Sequence, residues 1–307
     1  MGAVRAALRT RPPALRLTNQ RREALAAVLF ILPNLVGFLA FTLGPVVYSA
    51  AMSLTEWTGL RPPEFIAVGN YLALAQDPLF RKAVVNTVTY TAEFVPLTVL
   101  CALGVALLLN RAARGIGFVR ALYFFPIAAD MITISFAWIW IYHSRYGVLN
   151  SVLALFGLPP LAWLSTVHLA MFSLVVLSAW RWMGYYAVIL LAGLQGIPRE
   201  LHEAATLDGA GPLAQFRYVT VPLLSPALFF VVVMGLISSF QVFEQMYVMT
   251  QGGPMDSTLS IAMILYQNGF QYFKMGYASA MAWTLFFMIF AVTLVQWRVR
   301  GRWVFEG

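Results

Sequence analysis

Charged residues vanish from long stretches of this chain. None occurs between Glu23 and Glu56, Arg145 and Arg181, Arg217 and Glu244, or Lys274 and Arg298. Two further apolar segments carry one acid each, Val84 to Asn110 around Glu93 and Val119 to Tyr142 around Asp130. A helix rises about 1.5 Å per residue and needs about 20 apolar residues to cross a 30 Å hydrocarbon core. The pattern therefore predicts an all-α, polytopic membrane protein with six transmembrane helices, at 25–52, 84–110, 119–142, 167–195, 222–247 and 275–297. The first stretch is too long for the core of a cleavable signal peptide and reads as a retained helix.

Composition narrows the classes of function. Of 307 residues, 61% are apolar and 10% charged, against about 25% charged in soluble domains, so an ordinary cytosolic enzyme is excluded. The net charge of +8 could suggest nucleic acid, but the arginines stand at the ends of apolar stretches, where they act as topology signals. With six spans both termini share one side. That side carries 14 basic residues, in the N-terminal arm, the 111–120 and 196–221 loops and the tail, against five on the other. The positive-inside rule therefore puts both termini in the cytoplasm. Residues 1–22 read as a disordered cytoplasmic arm, 23–300 as the transmembrane domain and 301–307 as a cytoplasmic tail. The sequence has no Gly-x4-Gly-Lys-Ser/Thr phosphate loop, no zinc-protease or nucleophile-elbow motif, and one cysteine, Cys101. Catalysis is not located in this chain.

One polar connection carries a mechanism. From Gln195 to Pro226 the chain reads QGIPRELHEAATLDGAGPLAQFRYVTVPLLSP. Pro198 can start a helix, Glu200 and Glu203 favour its first turns, and Ala204 and Ala205 let another surface approach the backbone. Gly209, Gly211 and Pro212 end it, and a second short helix over 213–219 leads to Pro222. Composition alone fits either a projecting knob or a connector lying at the interface.

The spacing Glu203-Ala204-Ala205, three residues, Gly209, nine residues, Val219-Thr220-Val221-Pro222 resembles the EAA loop of binding-protein-dependent ABC importer permeases. Valine replaces both the isoleucine and the leucine of that pattern. Segments such as LTEWTGLRPPEF (54–65), NTVTYT (86–91), LAGLQGIPREL (191–201) and SFQVFEQMYVMTQGGP (239–254) extend the likeness over nearly the whole chain, to the MalF/UgpA-like carbohydrate permeases. The resemblance implies a type I importer permease in a prokaryotic plasma membrane. It also implies a second homologous permease, two copies of an ABC ATPase that hold the ATP and magnesium, and an extracytoplasmic solute-binding protein. Glu203, Ala204, Ala205, Asp208, Gly209 and Pro222 would then couple the chain to the ATPase, with no cofactor bound by this chain. The rival class is a self-sufficient ion-coupled secondary transporter, which midplane acids suit but which leaves the EAA loop unexplained.

Polar residues inside the spans mark the candidate solute path, since each ionisable group there costs about 2.5–3.5 kcal/mol on insertion scales. Counted along continuous helices, Asp130 and Arg181 both fall near mid-depth, as an ion pair, facing a cavity that binds a sugar or polyol, or in contact with a partner chain. Tyr185 follows Arg181 by one turn on the same face, and the resemblance implies that it lines the sugar path. Ser238, Ser239 and Gln241 read as deeper cavity residues or as interhelical hydrogen-bonding groups. The same count places Glu244 at the outer mouth. Glu93, followed by Pro96, reads as a polar contact at a kink.

Overall fold

A computed structural model of the protein describes residues 19–110 and 115–305. Residues 1–18 of the N-terminal arm, Arg111, Arg114 and the last two tail residues lie outside the described residues. The chain divides into two units, residues 1–51 and 52–307. In the first, α1 (Asn19–Phe38) passes through a π-helical turn, Leu39–Leu43, into α2 (Gly44–Met52). Helix α1 thus takes up the last four residues of the arm expected to be disordered. The wide turn, closed by Gly44 N–H donating to the Leu39 carbonyl, precedes Pro45, which has no N–H to donate. From Glu23 to Met52 this is one spanning-length helix with an apolar, unburied surface, the condition of a helix that faces lipid or another chain.

The second unit opens with a two-stranded ribbon, β1 (Thr55–Glu56) against β2 (Glu64–Phe65), and α3 (Gly69–Gln76). Helix α4 (Pro78–Leu109) begins at Asp77, whose carboxylate accepts from the N–H groups of Leu79 and Phe80, with Pro78 in the first turn. Then come α5 (Ile116–Ala128), α6 (Met131–Ile141), α7 (Val148–Leu155), α8 (Val167–Gln195), α9 (Arg199–Leu207) and α10 (Pro212–Gln215). After a second π-helical turn, Phe216–Thr220, the chain continues as α11 (Val221–Phe240), α12 (Glu244–Met249), α13 (Ile261–Tyr266) and α14 (Met275–Arg300).

Five helical stretches are long and apolar enough to span, and a bent pair makes a sixth. The expectation of six continuous spans needs correction at two of them. The third, predicted over 119–142, is α5 and α6 meeting at 101°. Pro126 lacks a donor in the last turn of α5, and Asp130 caps a fresh helix instead of continuing the old one. The fifth, predicted over 222–247, stops at Phe240 and reaches back to Pro212. The separate helix expected at 213–219 is its first part. Pro222 would lose a bond and clash with the carbonyl four residues earlier in a regular helix. The π-helical turn relieves this by letting Val221 N–H reach back to the Phe216 carbonyl.

Helices α4 and α8 form the centre of the unit. Toward one end Tyr90, Phe94, Leu174 and Leu177 pack together, and toward the other Ala102, Ala106, Ala187 and Leu190. Small residues at such a crossing let two backbones approach, which is where helix association in lipid finds its dispersion energy. The tightest approach is between α5 and α8. A Cβ on Gly184 would run into the Tyr123 carbonyl, whereas one on Gly104 meets nothing. Gly184→Val should therefore force α5 from α8 and destabilise by at least the roughly 1–3 kcal/mol typical of overpacking. Gly104→Ala should leave the detergent-solubilised protein at or slightly above wild-type stability. Thermal unfolding of the two variants checks the contrast.

Candidate functional site

The break between α5 and α6 exposes backbone groups at membrane depth, and two side chains satisfy them. Asp130 stands at the start of α6 and its carboxylate accepts from the N–H groups of Ile132 (3.0 Å) and Thr133 (3.4 Å). Arg181, on α8, donates from Nη2 to the carbonyls of Ala129 (3.0 Å) and Ile127 (3.5 Å) at the end of α5. Its guanidinium also lies 5.4 Å from the Trp182 ring centroid. The two residues foreseen as a possible ion pair instead hold opposite sides of one helix break, and no salt bridge joins them. The continuous helix on which the depth of Asp130 was counted is interrupted at that residue.

The second break, between α11 and α12, borders a cavity of about 390 Å³ lined by Tyr90, Phe94, Met131, Arg181, Trp182, Ser238, Ser239 and the run Gln241 to Gln245. That volume suits a small solute. Arg181, Ser238, Ser239 and Gln241 are all in its lining, brought together from α8, from α11 and from the residue that follows it. Ser238 and Ser239 turn their hydroxyls to the carbonyls of Gly235 and Leu236 in their own helix. Glu244 also lines the cavity, in the same wall as Ser238, Ser239 and Gln241. The helix ends at Phe240, so distance along the sequence no longer measures depth. Asp130 and Tyr185 are not in the lining. Asp130 is exposed on the break, and Tyr185 packs edge-on against Trp182 with ring centroids 6.0 Å apart.

Gln245 was missed by sequence reasoning. Its buried amide donates to the Tyr90 hydroxyl (3.0 Å) and to Ser178 Oγ (3.1 Å), tying α12 to α4 and α8 at the cavity wall. The signal available was a run of polar residues from Ser238 onward that continues one position past Glu244. Ser260, also buried, donates to the Val242 carbonyl that the break leaves without a helical partner.

At the other polar site α9 ends in a glycine cap. Gly209 has φ +80°, its N–H donates to Thr206, and Ala210 N–H reaches back to Ala205 at 2.9 Å. This is the paired pattern of a Schellman motif, which needs a left-handed residue where Gly209 stands. Gln215 on α10 donates to Thr206 Oγ1 (2.9 Å) and to the Ala210 carbonyl (3.0 Å), clamping the two helices together. No residue of α9 is buried. Glu203, Ala204, Asp208 and Gly209 are exposed and Ala205 is half-buried. Leu207 and Leu213 are 89% and 80% exposed. Pro222 lies outside this knob, in the first turn of α11.

Residues 66–302 match the family of binding-protein-dependent transport system inner membrane components. The chain belongs to that family. Among curated relatives of this permease, the sulfoquinovosyl glycerol transport system permease protein SmoG of Agrobacterium fabrum is 35% identical, over 90% of this chain and 91% of its own. The trehalose/maltose transport system permease protein MalF of Thermococcus litoralis is 33% identical, over 91% of this chain and 94% of its own. Its fold is that of a chain in the crystal structure of a bacterial alginate ABC transporter in complex with an alginate pentasaccharide-bound periplasmic protein. The TM-score is 0.80 at 20% identity, over 94% of the permease and 98% of that chain. The permease is thus a multi-pass inner-membrane transport subunit of the type I importer fold, as the resemblance led one to expect.

The two-cap arrangement separates from an ion pair by a single substitution. Asn caps a helix as well as Asp does, so Asp130→Asn should unfold within experimental error of wild type in detergent. Asp130→Ala should lose about 1 kcal/mol. An ion pair would make both variants equally poor.

Proposed function

We propose that the permease forms the translocation path for a sugar or related polyol in an ATP-driven importer. An extracytoplasmic binding protein delivers the solute, a second related permease completes the path, and two copies of a separate ATPase supply the energy. The observation that carries the reading is the cavity at the second helix break, which joins a guanidinium, a carboxylate, an amide and an indole in a volume suited to a small solute. Hydroxyl groups need donors and acceptors together, and Trp182 offers a flat apolar face for the C–H surface of a sugar ring. Relatives named for transport of sugars and sugar derivatives at 33–35% identity support that class of solute. A neutral saccharide suits the cavity better than an anion, because Glu244 stands in the same lining as Arg181.

The α9 knob is the coupling element in this reading. Its exposed leucines and small Ala204–Ala205 face suit insertion into a cleft of another protein, and the charge asymmetry of the loops supports a cytoplasmic position. Tyr185 then acts through Trp182, by setting the angle of the indole that meets the solute.

Two measurements test the two halves separately. Gly209→Val puts a β-branched residue in a left-handed conformation that costs it more than 1 kcal/mol, and Glu203→Lys reverses the charge of the knob. Both variants should insert normally yet abolish the stimulation of ATPase activity by loaded binding protein. Normal stimulation would remove the knob from the mechanism. Ser238→Leu fills part of the cavity and should lower solute uptake per assembled complex at least ten-fold, with the stimulation of ATPase activity by loaded binding protein intact. Uptake by the permease alone under a proton or sodium gradient would overturn the ATP-driven reading altogether.

A further inference from the structure

We propose that the cytoplasmic end of the α11–α14 pair is a binding site for one phospholipid with an anionic headgroup. A cavity of about 540 Å³ lies there, lined by Phe229, Phe230, Val233 and Trp297, with Thr293, Arg300 and the tail residues Val304 and Phe305 completing it. It is walled by the chain itself. Beyond the end of α14 the tail folds back, with Val304 N–H donating to the Arg300 carbonyl at 2.9 Å. Phe305 N–H donates to the buried Ser225 Oγ at 2.8 Å. Phe229 packs edge-on against both Trp297 and Trp303, with centroids 6.4 and 5.8 Å apart.

The site is polarised along the membrane normal. Its deep part is aliphatic and aromatic, and its mouth carries Arg300, whose guanidinium stacks 5.0 Å from the Trp297 centroid. Arg298 and Arg302, two residues to either side of Arg300 in the sequence, are exposed. From residue 298 to the end the sequence has three arginines and one acid, Glu306. An acyl chain fits the deep part and a phosphate fits the mouth, whereas a free phosphate compound would gain nothing from the apolar wall. Tryptophan at the headgroup level and basic pockets between helices on the cytoplasmic side are how membrane proteins hold anionic lipid. The carbonyl end of α14 carries about half a negative charge, which Arg298 and Arg300 in its last turn offset. Only the choice of leaflet rests on the cytoplasmic assignment of the tail.

The test uses the full chain, purified with the subunits that accompany it, in nanodiscs of equal phosphatidylglycerol and phosphatidylcholine. Native mass spectrometry counts the lipid retained after release from the disc. Phosphatidylglycerol should be enriched, and each arginine removed should lower the enrichment about five-fold, the effect of one basic residue near an anionic surface. Arg302→Gln, on the surface, reads this without risk to folding, and Arg300→Gln should do the same. A benzophenone amino acid at Phe229 should capture lipid. Equal retention of both lipids, enrichment unchanged in both variants, or capture of a protein segment in place of lipid would each overturn the site. Retention is measured without transport, so its failure leaves the solute pathway untouched, and a failed uptake assay leaves the lipid site standing.

Discussion

Inside a bilayer every backbone N–H and C=O must find a partner within the protein, because no water is present to supply one. That constraint makes this permease helical, and it also sets the terms on which its helices can stop. Both interruptions near the cavity meet those terms with side chains, one at the break itself and two from other elements. Asp130 and Arg181 serve the two halves of the α5–α6 break, and Ser260 takes the carbonyl of Val242 at the α11–α12 break. The approach of α5 to α8 at Gly184 is what brings Arg181 within reach of the carbonyls of α5. A side chain at 184 would push the two helices apart and take those acceptors from the half-buried guanidinium.

The same breaks create the functional surface. A continuous fifth span would carry Gln241 and Glu244 past the level of Arg181 and leave their polar groups on different turns. Because α11 ends at Phe240, the chain folds Gln241 to Gln245 around one cavity opposite Trp182 and Arg181. Gln245, bonded to Tyr90 and Ser178, anchors this irregular backbone to the α4–α8 centre. Irregular structure is tolerated in a membrane only where protein buries it or where it lines a cavity, and here both conditions are met. The knob of α9 and α10 answers a different demand. Helix α9 lies between two spanning helices and α10 begins the second of them, so the Schellman cap and Gln215 close the turn while the leucines at 207 and 213 remain unburied.

Hydrophobic runs alone determined that this chain spans a membrane about six times, and the distribution of arginines supplied an orientation. The fixed spacings around Glu203, Gly209 and Pro222 carried the family. These features are legible because they depend on local chemistry: length against bilayer thickness, glycine where φ is positive, proline where no donor is needed. The partners of Asp130 and Arg181, the placement of Glu244 and the role of Gln245 were decided only by tertiary structure. Each depends on where a helix stops, and Asp130 reads equally as a costly charge within a span or as the cap of a new one. Packing selects between the two, because only the folded chain brings Arg181 to the carbonyls that such a break sets free.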